Sequence, residues 1–370
     1  MDKKSIHLIA AARPNFMKIA PLYHALKKRA WAAPEIVHTG QHYDVNMSDA
    51  FFKDLMLPEP HHHLGIGSGS HAEQTGRVMI AYEKLLIEKR PDMVVVVGDV
   101  NSTAACTLAA VKMDDNRPLV AHLEAGLRSF DRTMPEEINR IVTDSIADLL
   151  WTPSRDGDEN LLKEGVPAER VERVGNIMID SLEMMRARIE REDAMSKYAV
   201  GKRGYGLVTL HRPANVDNRN TLGSLCEALV GVCNDLPLVF PVHPRTRKNL
   251  EKHKLLEDLE SASGLHLDEP IGYVTFMNLV FKCRLVITDS GGIQEESTYL
   301  GIPCLTLRPN TERPITITEG TNRLCTVADL VERVKDIITA KGERPLKPAL
   351  WDGHTAERVC ESIRRRLIAQ

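Results

Sequence analysis

Short apolar runs alternate with longer amphipathic segments along almost the whole chain. Runs at 6–10, 35–39, 93–97, 119–122, 148–152 and 170–174 predict six strands, and runs at 206–210, 238–242, 265–267, 285–288, 304–307 and 323–326 predict six more. Helical segments separate most of them; in 135–150, Ile138, Ile141, Val142, Ile146 and Leu149 recur at helical spacing and predict one apolar face. Met93-Val-Val-Val-Val97 lacks polar alternation and reads as a central strand covered on both sides. Strands alternating with helices mean parallel sheets flanked by helices. Twelve strands would be unusual in one doubly wound sheet. The pattern therefore predicts an α/β chain of two Rossmann-like domains, 1–175 and 176–352, with the helix of 353–370 packing back on the first. The stretch 183–204, charge-rich and weakly apolar, lies just after the break.

A length of 370 residues suits two such domains. Lys and Arg number 48 against 51 Asp and Glu, a net charge of −3, which excludes a generally basic nucleic-acid binder or a polybasic membrane protein. No apolar run approaches the length of a membrane span, and Met1-Asp-Lys-Lys-Ser5 has no signal-peptide core, so a cytoplasmic protein is expected. The seven cysteines form no C-x-x-C pair and mostly sit in apolar patterns, as buried reduced thiols do. His61-His62-His63 reads as a polar loop rather than a metal site, because no acidic or Cys cluster surrounds it in sequence and adjacent side chains diverge.

In open α/β sheets ligands bind beyond the carboxyl ends of the strands. In the first half those ends carry Arg13-Pro-Asn15 and Lys18, Gly40-Gln41-His42, Gly98-Asp99, and Glu124-Ala-Gly-Leu-Arg128. In the second half they carry His211-Arg212-Pro213, His243-Pro-Arg245, Asp289-Ser290-Gly291-Gly292, and Arg308-Pro-Asn310 followed by Glu312-Arg313. Such an accumulation at one topological end predicts a cleft between the domains. Asp289-Ser-Gly-Gly-Ile-Gln-Glu-Glu296 is the most informative segment. Two glycines permit close backbone approach, and a helix starting at about Ile293 offers free N–H groups to a phosphate or pyrophosphate. Glu296 lies one turn in, where it can meet ribose hydroxyls; the alternative is dipole compensation by Glu295 and Glu296. Glu136, with Arg140 four residues on, fits either a cleft carboxylate or a helix-surface ion pair. His211 fits a cleft group or a structural histidine equally. Neither a P-loop nor a G-x-G-x-x-G dinucleotide fingerprint is present, so a tightly bound NAD is not expected.

Taken in order, these segments resemble the non-hydrolysing UDP-N-acetylglucosamine 2-epimerase family. The resemblance runs through Ala12-Arg-Pro-Asn-Phe-Met-Lys-Ile-Ala-Pro21, Thr39-Gly-Gln-His42, Gly98-Asp99, His122-Leu-Glu-Ala-Gly-Leu-Arg128, Pro135-Glu-Glu-Ile-Asn-Arg140 and Gly175-Asn-Ile-Met-Ile-Asp180. It continues through Thr209-Leu-His-Arg212, Asp289 to Glu296 and Thr311-Glu-Arg-Pro314, covering most of the chain. It implies a glycosyltransferase-B-like fold and a cytosolic homodimer that interconverts UDP-N-acetylglucosamine and UDP-N-acetylmannosamine for polysaccharide synthesis, without NAD, other cofactor or essential metal. Carried over by motif, the catalytic groups are Asp99, Glu124, Glu136 and His211, and the UDP-sugar contacts are Arg13, Lys18, Phe276, Ser290, Gly291, Gly292, Glu296 and Arg313. Some members use a second UDP-N-acetylglucosamine as activator through an Arg-Gln pair; here the pair is Glu73-Gln74, and Gln41, His42, Gln74, Glu136, Arg212 and His243 are the candidates for such a site. Two further departures are Asn15 where many members carry an acid, and His211-Arg-Pro-Ala-Asn215 in place of His-Arg-Arg-Glu-Asn.

The chemistry implied by the resemblance is elimination of UDP across C1 and C2 to 2-acetamidoglucal, then re-addition with a proton on the other face. That route suits several carboxylates beside a cationic diphosphate site. Competing readings are a 2-epimerase of a related UDP-acetamido sugar, an inverting glycosyltransferase on the same fold, a hydrolysing epimerase, and a nucleotide-sugar sensor without turnover.

Overall fold

The computed structural model describes residues 2–40, 55–114, 116–340 and 347–368, apart from the side chain of Arg13. Every residue of the valine run 93–97 is at most 1% exposed, because the strand it forms has neighbours on both edges and apolar cover on both faces. The chain divides into two units, Met1–Met184 with Ala349–Gln370, and Met185–Pro348.

In the first unit the strands are β1 (Lys4–Ala10), β2 (Ala32–His38), β3 (His62–His63), β4 (Met93–Val97), β5 (Leu119–Leu123), β6 (Leu149–Thr152) and β7 (Val171–Arg173). All pair in parallel, in the order β3-β2-β1-β4-β5-β6-β7. The helices are α1 (Arg13–Lys27), α2 (His71–Lys89), α3 (Asn101–Val111), α4 (Pro135–Ile146) and α5 (Arg155–Lys163), followed by α6 (Ile177–Arg191), within which the division between units falls. Ser70 and Glu73 close a capping box at the start of α2, so Glu73 serves its own helix end.

The second unit holds β8 (Gly206–Thr209), β9 (Leu238–Pro241), β10 (Leu265–Asp268), β11 (Leu285–Thr288), β12 (Cys304–Thr306) and β13 (Asn322–Leu324). Their order is β10-β9-β8-β11-β12-β13, again all parallel. Its helices are α7 (Pro213–Val216), α8 (Arg219–Cys233), α9 (Pro244–His253), α10 (Leu256–Ser261), α11 (Tyr273–Lys282), α12 (Gly291–Leu300), α13 (Ile315–Thr318) and α14 (Leu330–Thr339). The last helix, α15 (Thr355–Leu367), belongs to the first unit. There the Trp151 indole donates to Ser362 Oγ at 2.9 Å, the Trp351 indole donates to Pro153 O at 2.9 Å, and the Asp180 carboxylate accepts from the first N–H groups of α15.

The α/β class is as read from the pattern, with three local corrections. The first sheet has seven strands among the described residues, not six: His61–His63 is no free loop, because 62–63 pairs with β2 as an edge strand. On α4 the buried residues are Glu137, Arg140, Thr143 and Asp144, while Ile138 is 37% exposed. The polar face turns inward because its charges find partners there. Finally, α12 begins at Gly291 rather than Ile293; the two glycines form its first turn instead of a preceding loop. In both sheets the order reverses at one place, between β1 and β4 and between β8 and β11. Adjacent strands there send their chains in opposite directions and leave their carboxyl ends open.

Candidate active site

At the first reversal, Asn15 ties the two strand ends together. Its Nδ2 donates to Val97 O at 3.0 Å, and its Oδ1 accepts from Ala12 N at 3.1 Å. One turn further along α1, Lys18 is ion-paired with Glu124, both side chains nearly buried at 11% and 5% exposure. Gly98 makes room for this pair: at φ +68°, a Cβ there would lie 3.0 Å from Lys18 Nζ and 3.6 Å from Glu124 Oε2. Glu124 itself holds φ +75°, a left-handed conformation costing a non-glycine residue on the order of 1 kcal/mol. A side chain kept at that cost beside a buried lysine points to a functional position.

Behind Glu124 lies a buried ionic scaffold. His122 spans Asp144 Oδ1 (2.6 Å) and Gly98 O (2.8 Å), and the other Asp144 oxygen accepts from Gly126 N at 3.1 Å and lies 2.7 Å from Arg128 Nη1. Burial raises the Asp144 carboxyl, but His122 and Arg128 outweigh it and hold it below the usual carboxylate range. Arg140 bridges Asp99 (2.5 Å) and Glu137 (2.7 Å), and Glu137 also accepts from the N–H groups of Ser129 and Phe130. Burial raises Glu137, and the Ser129 N–H and Arg140 more than compensate. Arg140 is thus engaged with Glu137 and Asp99, not with Glu136 four residues before it. Glu136 is exposed on the outer side of the same turn.

At the second reversal the anchor is Asp289, fully buried. It accepts from His211 N (3.0 Å), Arg212 N (2.9 Å) and Asn215 Nδ2 (3.0 Å), and its Oδ1 lies 3.0 Å from His211 Nδ1. Burial raises this carboxyl; the His211 side chain, Arg212 N–H and Asn215 lower it further than that. Asp289 therefore does not cap the following helix. It fixes the backbone and ring of His211, whose imidazole lies 5.3 Å from that of His243. The His243 ring, lowered by burial and by His211, accepts from Arg245 N at the start of α9.

Ser290 precedes α12 with its N–H bonded to Thr288 Oγ1. A Cβ on Gly292 would meet nothing within 4 Å among the described residues, whereas one on Gly291 would lie 2.8 Å from Arg313 Nη1. A guanidinium thus lies against the opening turn of a helix, where backbone N–H groups and the dipole already favour an anion. Arg313 Nε lies 2.9 Å from Glu295 Oε1, and its Nη1 lies 3.7 Å from Glu312. Glu312 also takes Arg308 at 2.8 Å; burial opposes ionisation, but these cations bring its carboxyl down to about 2. Glu296 is different. The like-signed Glu295 stands beside it, its Oε1 accepts from Tyr273 OH at 2.6 Å, and burial pushes its carboxyl up to about 7. Phe276, one turn beyond Tyr273 on α11, is half-buried.

The first unit thus gathers Lys18, Gly98 and Glu124, with Asp99 held on Arg140. The second gathers His211 and Asp289, and separately Gly291, Glu295 and Arg313. Gln74 accepts from Asn101 Nδ2 at 2.9 Å. Gln41, His42 and the Arg13 side chain lie outside the described residues. Sequence reasoning missed Tyr273 and Asp144, and it assigned no separate part to Glu137 and Asn215, which stood only as members of the segments Pro135–Arg140 and His211–Asn215.

A family model described as UDP-N-acetylglucosamine 2-epimerase matches residues 24–364. A Methanocaldococcus jannaschii protein named UDP-N-acetylglucosamine 2-epimerase is 40% identical over 96% of this chain and 97% of its own length. A Pseudomonas aeruginosa protein named UDP-2,3-diacetamido-2,3-dideoxy-D-glucuronate 2-epimerase is 37% identical over 96% and 98%. The crystal structure of the M. jannaschii UDP-GlcNAc 2-epimerase in complex with UDP-GlcNAc and UDP superposes with a TM-score of 0.84, covering 97% of this chain and 99% of that one. A family model matching residues 24–364 and a relative 40% identical over 96% of the chain make this chain a member of the UDP-N-acetylglucosamine 2-epimerase family.

Proposed function

We propose that the protein is an isomerase that interconverts UDP-N-acetylglucosamine and UDP-N-acetylmannosamine. The observation that carries the reading is the opening turn of α12, where Gly291 brings backbone N–H groups and the Arg313 guanidinium to one place suited to a diphosphate. The C2 proton of the sugar is weakly acidic, so its loss is coupled to departure of UDP. A carboxylate takes the C2 proton, the C1–O bond breaks with its electron pair leaving on the diphosphate, and a C1–C2 double bond forms. UDP then re-adds at C1 while an acid delivers a proton to the opposite face of C2.

In this proposal Asp99 and one of Glu124 and Glu136 carry the two proton transfers. Glu124 is supported by its buried lysine partner and its strained backbone, Asp99 by its orientation on Arg140. Asp289 holds His211 so that the other ring nitrogen can bind or protonate the departing diphosphate. Arg13, Lys18, Ser290, Gly292 and Arg313 neutralise and position the diphosphate, Phe276 packs against the nucleotide, and Glu296 accepts ribose hydroxyls. We further propose a cytoplasmic homodimer. Among the described residues no helix is long and apolar enough to cross a membrane, and Ile80, Ile87 and Phe130 of the first unit are 60%, 56% and 76% exposed; light scattering in solution tests the dimer.

The P. aeruginosa relative favours a second reading, in which the substrate is a UDP-diacetamido sugar acid. Incubating the purified protein with each UDP-sugar separately and following the anomeric and C2 protons by NMR distinguishes the two. Conversion of UDP-N-acetylglucosamine to its C2 epimer supports the first; release of free sugar, or no conversion of any UDP-sugar, overturns both.

A further inference from the structure

The described residues hold one cluster of metal-ligating side chains that this reaction does not use. His7, Glu35 and His62 come from β1, β2 and β3, three adjacent strands at one side of the first sheet, and one donor atom from each lies within 4.8 Å of the others. The register explains the meeting. His7 is directly opposite Glu35, and His62 is opposite Val37, which shares a sheet face with Glu35. His61 and His63 are engaged elsewhere, with Ile36 N and the His38 ring, so the histidine run contributes only its middle member. The other two ligands lie 27 and 55 residues earlier in the chain, which is why no local sequence pattern announced them.

An independent observation points to a ligand. His7 is fully buried, and its Nε2 has no hydrogen-bond partner among the described residues. A buried ring nitrogen left unsatisfied carries a desolvation cost that native structures normally avoid. The opposite nitrogen, Nδ1, lies 3.2 Å from the hydroxyl of the buried Tyr82, an arrangement that fixes the ring and leaves Nε2 for coordination. Next to it, His62 Nε2 is 2.5 Å from Glu35 Oε2, with side-chain exposures of 16% and 29%. That exposure leaves His62 and Glu35 within reach of solvent. Two imidazoles and one carboxylate suit a tetrahedral zinc-class ion, whose ligand atoms stand about 3.3 Å apart, so binding replaces the direct His62–Glu35 hydrogen bond and moves these two atoms slightly apart.

We propose that His7, Glu35 and His62 bind a divalent transition-metal ion of the zinc class, with Tyr82 orienting His7. The ion ties the two-residue edge strand β3 to β2 and β1, so its role is to stabilise the first unit. His7 and Glu35 lie in the body of their strands rather than at the carboxyl ends that carry the proposed chemistry.

The test uses the full-length protein after chelation and dialysis. Co²⁺ alone is titrated while its ligand-field absorption is followed, and Zn²⁺ alone is titrated by calorimetry. The expected result is one equivalent of each, tetrahedral-type Co²⁺ bands, and a higher unfolding temperature with Zn²⁺. Glu35→Gln and His62→Ala, checked for folding by circular dichroism, should lose the equivalent while keeping the turnover of the unsubstituted protein. Tyr82→Phe should weaken binding by about tenfold or more. Absence of a stoichiometric Co²⁺ signal in the unsubstituted protein overturns the proposal, whatever the variants do. A signal that survives unchanged in both ligand variants overturns it equally.

Discussion

Replacing Glu296 with glutamine should change how stability depends on pH, by an amount that can be worked out. The carboxyl is 2% exposed, and burial lifts it from the ordinary 4.5 to about 7. Between those values the native state keeps a proton that the unfolded state has released. Unfolding free energy therefore falls as pH rises through that window, and the loss is complete above about pH 7. At 1.36 kcal/mol for each pH unit of the difference, this group removes roughly 3 kcal/mol between pH 4.5 and 7. Glutamine cannot ionise, yet its side-chain oxygen can still accept from Tyr273 OH. Urea unfolding of both proteins at pH 5, 6, 7 and 8, followed by circular dichroism, isolates the effect, because all other groups titrate in both and cancel. The variant should gain stability relative to the parent as pH rises, by roughly 3 kcal/mol in total. A difference that is the same at pH 5 and pH 8 would refute the reasoning.

Gly291→Ala should push the Arg313 guanidinium away from the start of α12, since the new Cβ would lie 2.8 Å from Nη1. Losing one charged hydrogen bond to phosphate weakens UDP about tenfold or more by calorimetry; unchanged affinity would remove Arg313 from the diphosphate site. Arg140→Ala leaves Glu137 buried without its cation and should lower stability by about 3 kcal/mol in denaturant unfolding. Glu136→Gln, on the exposed side of α4, should shift stability by no more than about 0.5 kcal/mol while it tests the catalytic assignment through turnover. All seven cysteines are free thiols, and burial raises each of them, Cys226 and Cys283 to about 12 and Cys304, Cys325 and Cys360 to about 11. A thiol reagent at pH 7 should accordingly titrate the six buried thiols only after denaturation, with the partly exposed Cys233 the one within reach in the folded protein.

The parallel two-sheet architecture could be read from sequence because it is written as periodicity: β4 is five apolar residues in a row, and helical segments recur between strands. The strand ends were legible for the same reason, since topology makes them the place where polar groups accumulate. Pairing chosen by distant partners was not legible. On α4 the isoleucines suggested one buried face, but Glu137, Arg140 and Asp144 are drawn inward by Ser129, Asp99, His122 and Arg128, and periodicity cannot encode those matches. Edge strand β3 is two residues long and exists only through its pairing with β2. Glu295 and Glu296 are neighbours in sequence, yet one meets the Arg313 guanidinium and the other Tyr273, so only the fold separates an acid paired with a cation from one that titrates near neutrality.

The central claim is that the C2 proton leaves and returns while UDP departs and re-adds. Incubating the protein with UDP-N-acetylglucosamine in D₂O and reading C2 by NMR tests it directly. The account predicts UDP-N-acetylmannosamine carrying deuterium at C2, with deuterium appearing in recovered substrate as equilibrium is approached. Epimerised product that retains its original C2 hydrogen would contradict it.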